Sequence, residues 1–284
     1  MADVKETVVL KNGVEMPSVG YGTWRVENST AGADIVAEAI RAGYRHIDTA
    51  ARYGNEASVG EGIRTSGVKR EDIFVTSKVW YTHRSYEQTM EAFDGTMKAL
   101  GLDYLDLYMI HWPAVAKNYD NWKEVNAETW RALEELYRLG KVRAIGVSNF
   151  LPHHLEPLFE TAEIHPMVNQ IEFRPGYSQI ECAKWCLEHD IVPEAWRPLG
   201  AGAALTGERM TELSKKYGKT PAQICLRWAL QHGLVPLAKS ANPVRMRDNL
   251  QVYDFELSAE DMRKIDALPQ DEASAEKPDE LVEK

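Results

Sequence analysis

Four side chains in the first half of the chain make a complete acid–base set: Asp48, Tyr53, Lys78 and His111. Each closes or follows a short apolar run, where a solvated loop residue is the plain alternative. Singly, each says little. A carboxylate, a phenol, an ammonium and an imidazole at the ends of consecutive apolar runs form a coherent group. A phenol with a pKa near ~10 is a poor proton donor at neutral pH. A neighbouring ammonium is expected to lower that value by favouring phenolate, with a carboxylate orienting the ammonium. An imidazole can donate a hydrogen bond to a carbonyl oxygen. Such a set suits protonation of a carbonyl oxygen as hydride arrives, a general-acid contribution of roughly 10²–10⁴-fold. No side chain supplies hydride, so a cofactor must.

The elements that must hold these groups can be read from periodicity. Short apolar runs flanking Lys11-Asn12-Gly13 predict an N-terminal β-hairpin. Strands are then expected at 18–22, 45–49, 74–79, 105–111, 143–148, 167–173, 192–195 and 235–239. Amphipathic helices lie between most of them, as at 33–42, 86–100, 127–139 and 180–188, with Gly43, Gly101 and Gly140 where helices should end. Alternation of this kind implies a parallel sheet, either closed or open and doubly wound. The count of eight and the failure of Gly20-Tyr21-Gly22-Thr23-Trp24-Arg25 to complete a GxGxxG fingerprint favour a closed α/β (β/α)8 TIM barrel. The chemistry then belongs at the C-terminal ends of the strands, where the four residues fall.

A chain of 284 residues suits one such barrel, so 1–284 is read as a single domain with 271–284, acidic and polar, as a loose tail. A net charge of −10 argues against general affinity for nucleic acid or anionic membranes. Three cysteines, Cys182, Cys186 and Cys225, are too few and too irregular for a disulfide framework and read as reduced, buried packing, with no metal. The chain shows neither a signal peptide nor an apolar run of membrane-spanning length, so a cytoplasmic protein is expected. A closed barrel has no sheet edge to pair, which makes a monomer the default. His153 and His154, adjacent at a helix start, are read as surface residues rather than metal ligands.

The segment Tyr44-Arg45-His46-Ile47-Asp48-Thr49-Ala50-Ala51-Arg52-Tyr53-Gly54-Asn55-Glu56 closely resembles the first signature of the aldo-keto reductase family. So do Thr76-Ser77-Lys78-Val79-Trp80, Asp106-Leu107-Tyr108-Met109-Ile110-His111-Trp112-Pro113 and Gly146-Val147-Ser148-Asn149-Phe150. The texture is most similar to the bacterial branch containing 2,5-diketo-gluconate and methylglyoxal reductases. The resemblance implies NADPH/NADP+ as cofactor, a small carbonyl compound as substrate, and the tetrad Asp48, Tyr53, Lys78, His111 with Tyr53 as proton donor. It implies that Ser148, Asn149 and Gln170 hold the nicotinamide carboxamide. It places Lys239, Ser240, Arg245 and Asn249 at the adenosine 2′-phosphate and adenine. A lysine and an arginine suit that phosphate, which arginine can bind bidentately. Trp196, Arg197 and Leu199 stand in the family's Tyr-Ser-Pro-Leu-Gly run, with tryptophan able to stack in place of tyrosine and Arg197 replacing a small hydroxyl near the pyrophosphate. Asp248 replaces a longer glutamate, and Ala238 a frequent proline. Trp24, Trp80 and Trp112 are expected to line an aromatic substrate pocket, with His83 and residues 115–122 shaping its entrance.

The competing reading is a redox-sensing or structural module that binds NADP(H) with little turnover. A hydrolase or isomerase on the same fold is the other, and the chain has no GxSxG, HExxH or P-loop pattern to support it.

Overall fold

The computed structural model describes residues 6–280. Its first element is the expected hairpin, β1 (Thr7–Val9) against β2 (Glu15–Pro17), antiparallel with Val8 opposite Met16. The hairpin buries Leu10 and Met16, while Lys11 Nζ donates to Pro166 O (2.9 Å) and Asn12 Nδ2 to Arg143 O (2.9 Å). Both acceptors lie where barrel strands begin, so the hairpin covers the N-terminal end of the barrel and leaves the other end open.

Eight parallel strands follow: β3 (Gly20–Gly22), β4 (His46–Asp48), β5 (Phe74–Val79), β6 (Leu105–Ile110), β7 (Val142–Ser148), β8 (Val168–Arg174), β10 (Val192–Trp196) and β11 (Val235–Ala238). The short β9 (Tyr177–Ser178) turns back antiparallel on β8. Each strand pairs with the next, β8 pairs with β10, and β11 returns to β3 with Leu237 opposite Gly20. The sheet is therefore closed, and the fold is the (β/α)8 barrel the alternation implied, its strand ends within a residue or two of those read from periodicity.

The barrel helices are α1 (Thr30–Ala42), α2 (Glu56–Thr65), α3 (Tyr86–Leu100), α4 (Trp122–Arg138), α5 (Pro152–Thr161), α6 (Ile180–Glu188), α7 (Glu208–Tyr217), α8 (Pro221–Gln231), α9 (Pro243–Leu250) and α10 (Ala259–Asp266). Their ends follow local chemistry. Ser85 caps α3 in a reciprocal box with Gln88, and Gly101 ends it at φ 64°, a conformation costly to side chains with a Cβ. Helix α4 starts at Trp122, earlier than 127, with Lys123 and Glu124 of its first turn exposed. Gly60 lets α2 touch the end of α3: a Cβ there would lie 1.8 Å from Leu100 O.

Alternation of side chains along a strand sends residues two apart to the same face. His46 with Asp48, Thr76 with Lys78, and Glu194 with Trp196 thus share the inward side, and Gln170 joins them from β8. Their hydrogen bonds link neighbouring strands: His46 Nε2 with Thr76 Oγ1 (3.2 Å) between β4 and β5, Gln170 Nε2 with Glu194 Oε2 (2.8 Å) between β8 and β10. The three cysteines are buried and unpaired. Among the described residues no helix is long and apolar enough to cross a membrane.

The segment read as a loose tail makes specific contacts over 271–280. Asp271 N donates to Gly176 O (2.6 Å), Glu276 N to Glu172 Oε2 (3.2 Å), and Pro278 is buried. Residues 281–284 lie outside the described residues. His153 and His154 both meet Asp279 Oδ1, at 2.9 and 3.0 Å. His153 is exposed as expected, but His154 is buried, a correction to its reading as a surface residue. Its Nδ1 accepts from Leu151 N (3.1 Å), so the neutral ring carries its proton on Nε2 and donates to Asp279. That tautomer makes the cluster a hydrogen-bonded anchor for the tail.

Candidate active site

The strand ends opposite the hairpin surround a pocket of about 1230 Å³. Asp48 ends β4, and Tyr53 follows on a 3₁₀ turn (Ala51–Tyr53) held by Tyr53 N to Ala50 O (3.0 Å). Lys78 stands near the end of β5, and His111 directly follows β6. Asp48, Tyr53 and His111 line the pocket, while Lys78 lies behind them without exposure.

The geometry ties the four together. Lys78 Nζ donates to Asp48 Oδ2 (2.5 Å) and to Thr49 O (3.0 Å), and it lies 5.5 Å from the centre of the Tyr53 ring. Tyr53 and His111 meet edge to face at 5.7 Å, an arrangement aromatic rings favour. His111 is buried and its pKa is held well below the ordinary value by burial, then by the charges of Lys78 and Arg52. The imidazole is therefore neutral at pH 7 and keeps one N–H to donate.

The expected tuning of the phenol runs the other way. The Tyr53 hydroxyl is pushed well above its usual value, first by burial and then by the carboxylates of Asp48 and Glu276. Lys78 Nζ, engaged by Asp48 and the Thr49 carbonyl and 5.5 Å from the ring centre, does not outweigh that push. Tyr53 is a phenol firmly holding its proton, not one drawn towards phenolate.

The wall on the β7–β10 side is a hydrogen-bonded frame. Asn149, at φ 63°, donates through Nδ2 to His111 O (2.9 Å) and Ser148 Oγ (3.1 Å), and its Oδ1 accepts from Trp196 Nε1 (2.8 Å). Ser148 Oγ donates to Gln170 O (2.9 Å). Gln170 Nε2 donates to Asp48 Oδ2 (3.0 Å) and to Glu194 Oε2 (2.8 Å). Since the Asp48 carboxylate only accepts, the amide orientation is fixed. Glu194, buried in the barrel, has its carboxyl pushed up to about 8, by burial first and then by Asp48.

Farther along, Lys239 leaves β11, and Arg245 lies in the first turn of α9, where Asn242 caps through Oδ1 to Val244 N and Arg245 N (2.9 and 3.1 Å). Buried Tyr21 fixes the intervening loop by donating to Ser240 O (2.6 Å). Lys239 and Arg245 are exposed, line the pocket and have no ion pair among the described residues. Two unneutralised cations at a capped helix N-terminus fit an anionic phosphate. Ser148, Asn149, Gln170, Trp196, Arg197, Leu199, Ser240 and Asn249 line the same pocket, as do Trp24, Trp80 and Trp112. Arg197 Nη1 also lies 3.4 Å from Oε1 of the buried Glu172.

Some placements differ from expectation. His83 and residues 115–122 do not line this pocket; His83 Nδ1 pairs instead with Thr82 Oγ1 (3.1 Å). Three ionisable residues that the sequence reading did not assign to the site do line it: Arg25, Arg52 and Glu276. Arg52 was visible beside Tyr53, and Arg25 beside Trp24, but an arginine in a loop reads as solvated. Glu276 had no sequence signal, because the polar tail carries no periodicity.

The aldo/keto reductase family model matches residues 18–270. Glyoxal reductase of Bacillus subtilis is 52% identical over 279 residues, 98% of each chain. The crystal structure of MGS-M4, an aldo-keto reductase from a deep-sea metagenome library, superposes with a TM-score of 0.90 at 42% identity, covering 97% of this chain and 100% of that one. A mutant of Gox0644 in complex with NADPH superposes with a TM-score of 0.89 at 37% identity, covering 98% of each chain. The chain belongs to the aldo/keto reductase family of NADP-dependent oxidoreductases acting on carbonyl groups.

Proposed function

We propose that this protein reduces small aldehydes and ketones, methylglyoxal-type dicarbonyls among them, to alcohols with Tyr53 as general acid. The observation that carries the reading is the convergence of Tyr53, His111 and the buried Lys78–Asp48 pair at the mouth of the barrel. NADPH, when bound, supplies the hydride. Lys239 and Arg245 hold its 2′-phosphate, with Ser240 and Asn249 beside them. Ser148, Asn149 and Gln170 hold the carboxamide, and Trp196 offers a ring face to the nicotinamide. Arg197, with Leu199, lies along the path between these two ends.

On the substrate side, neutral His111 donates a hydrogen bond to the carbonyl oxygen and so orients it. Tyr53 Oη gives that oxygen its proton, and solvent at the pocket mouth restores the phenol. Lys78, fixed by Asp48, stabilises the phenolate at the moment it forms. A raised resting pKa is compatible with this role, since the donor must enter the step protonated. Trp24, Trp80 and Trp112 give the carbonyl compound an apolar wall and accept many shapes. The reading extends to a monomer, because the closed barrel itself leaves no strand edge for a partner, and to a place in the cytoplasm.

The test is loss of nicotinamide absorbance with purified protein and methylglyoxal, with NADPH and NADH in parallel. Turnover with a clear NADPH preference is expected. NADPH binding without turnover of methylglyoxal or an aromatic aldehyde contradicts the proposal.

A further inference from the structure

The charges lining the pocket can be matched against one another. Asp48 is neutralised by Lys78, and Arg197 is paired with Glu172. Glu276 feels the charge of Arg197, Arg25 lies over the Trp24 ring at 4.2 Å, and Lys239, Arg245 and Asp248 lie at the α9 end. Arg52 has no hydrogen bond or ion pair among the described residues. It immediately precedes Tyr53, and its guanidinium carbon lies 5.2 Å from the centre of the Trp80 ring. Trp80 in turn meets His111 edge to face at 5.0 Å.

The backbone that carries Arg52 is held in place. Its 3₁₀ turn is closed by Tyr53 N to Ala50 O (3.0 Å) and Gly54 N to Ala51 O (3.1 Å). Asn55, fully buried, donates through Nδ2 to Thr23 O and Val26 O, both at 2.8 Å, and accepts from Thr49 Oγ1 at 3.1 Å. The loops after β3 and β4 are thereby locked to each other. The charge of Arg52 reaches the centre itself, as one of the causes depressing the His111 imidazole. A guanidinium over an indole face keeps its in-plane N–H groups free, and those groups match a carboxylate.

We infer that Arg52 is a specificity residue that binds the carboxylate of a carbonyl substrate whose reacting end lies at Tyr53 and His111. The inference rests on the proposed carbonyl reduction and names the substrate class it favours: short aldehydes or ketones carrying a carboxylate at the far end. Trp80 then serves both as apolar wall and as platform for the guanidinium. Arg52 takes no part in proton transfer.

The test compares succinic semialdehyde with butanal, which has a methyl in place of the carboxylate, in the wild type, Arg52→Gln and Arg52→Lys. With NADPH saturating, Arg52→Gln is expected to lower kcat/KM for succinic semialdehyde about tenfold or more relative to butanal, mostly through KM. Arg52→Lys should restore part of the difference, because it returns the charge without the fork. Equal losses for both aldehydes, or an unchanged ratio, overturn the inference. Turnover of neither aldehyde by the wild type contradicts the proposed reaction instead. Quenching of tryptophan fluorescence in the NADPH complex, by γ-hydroxybutyrate against butanol, then decides. Quenching by the anion alone that Arg52→Gln removes upholds the carboxylate site, and quenching insensitive to residue 52 sinks it.

Discussion

At one end of the pocket Lys78 and Asp48 lie out of solvent, bonded to each other, to the Thr49 carbonyl and to Gln170. At the other end Lys239 and Arg245 stand exposed, with no ion pair among the described residues. Both ends carry a lysine ammonium, and the difference lies in what that charge faces. A buried pair satisfied within the protein holds a fixed geometry and needs nothing from outside. Exposed cations without partners keep their attraction for an incoming anion, at a strength that salt can screen. The first arrangement suits steering of a proton donor, the second capture of a phosphate.

The largest effect should come from breaking the buried pair. Lys78→Met leaves the Asp48 carboxylate unpaired inside the barrel and is expected to cost about 3–5 kcal/mol of stability. A lowered Tm and abolished turnover should appear together; a variant with wild-type Tm would mean that the pair does not bear on the fold. At the exposed end, the double substitution Lys239→Ala with Arg245→Ala should leave Tm nearly unchanged. It should weaken NADPH by roughly 10–100-fold, as for lost charge-assisted hydrogen bonds. NADH affinity should change little, and equal losses in fluorescence titrations of the two cofactors would place the 2′-phosphate elsewhere.

A smaller effect tests the buried end through pH. The Glu194 carboxyl is raised from 4.5 to about 8, so the folded protein retains a proton there that the unfolded chain gives up. Its contribution to stability is fully present below about 4.5 and is lost as pH rises through about 8. Glu194→Gln, which cannot ionise, should therefore gain Tm relative to the wild type between pH 5 and pH 8.5. A Tm difference that stays flat across that range would show that Glu194 is charged in the folded barrel. The smallest effect is ionic: raising salt should increase KM for NADPH while kcat stays nearly level, since screening reaches exposed charges more than buried ones. A fall in kcat with KM constant would invert the comparison.

The buried end was largely legible in the sequence. Asp48, Lys78 and His111 lie at or next to the C-terminal ends of apolar strands, so periodicity placed them at strand ends, and the count of eight strands with the incomplete GxGxxG favoured a barrel. The direction of the Tyr53 shift was not legible. It depends on Lys78 being engaged by Asp48 and on Glu276 arriving from the far end of the chain. The tail escaped reading for a related reason. Its order comes from long-range contacts, Asp279 with His153 and His154 and Glu276 with Glu172, and not from any local pattern. The burial of His154 has the same origin, since a histidine at a helix start looks like surface until another segment covers it. Arg52 sat in plain view, but its lack of an ion pair among the described residues is visible only in three dimensions.

The most direct test of the central claim is Tyr53→Phe, measured for NADPH affinity by fluorescence titration and for turnover with methylglyoxal. Affinity within about twofold of the wild type, with kcat lower by roughly 10²–10⁴-fold, is the result this account predicts. Undiminished kcat would remove Tyr53 as the proton donor, and with it the role assigned to the Lys78–Asp48 pair.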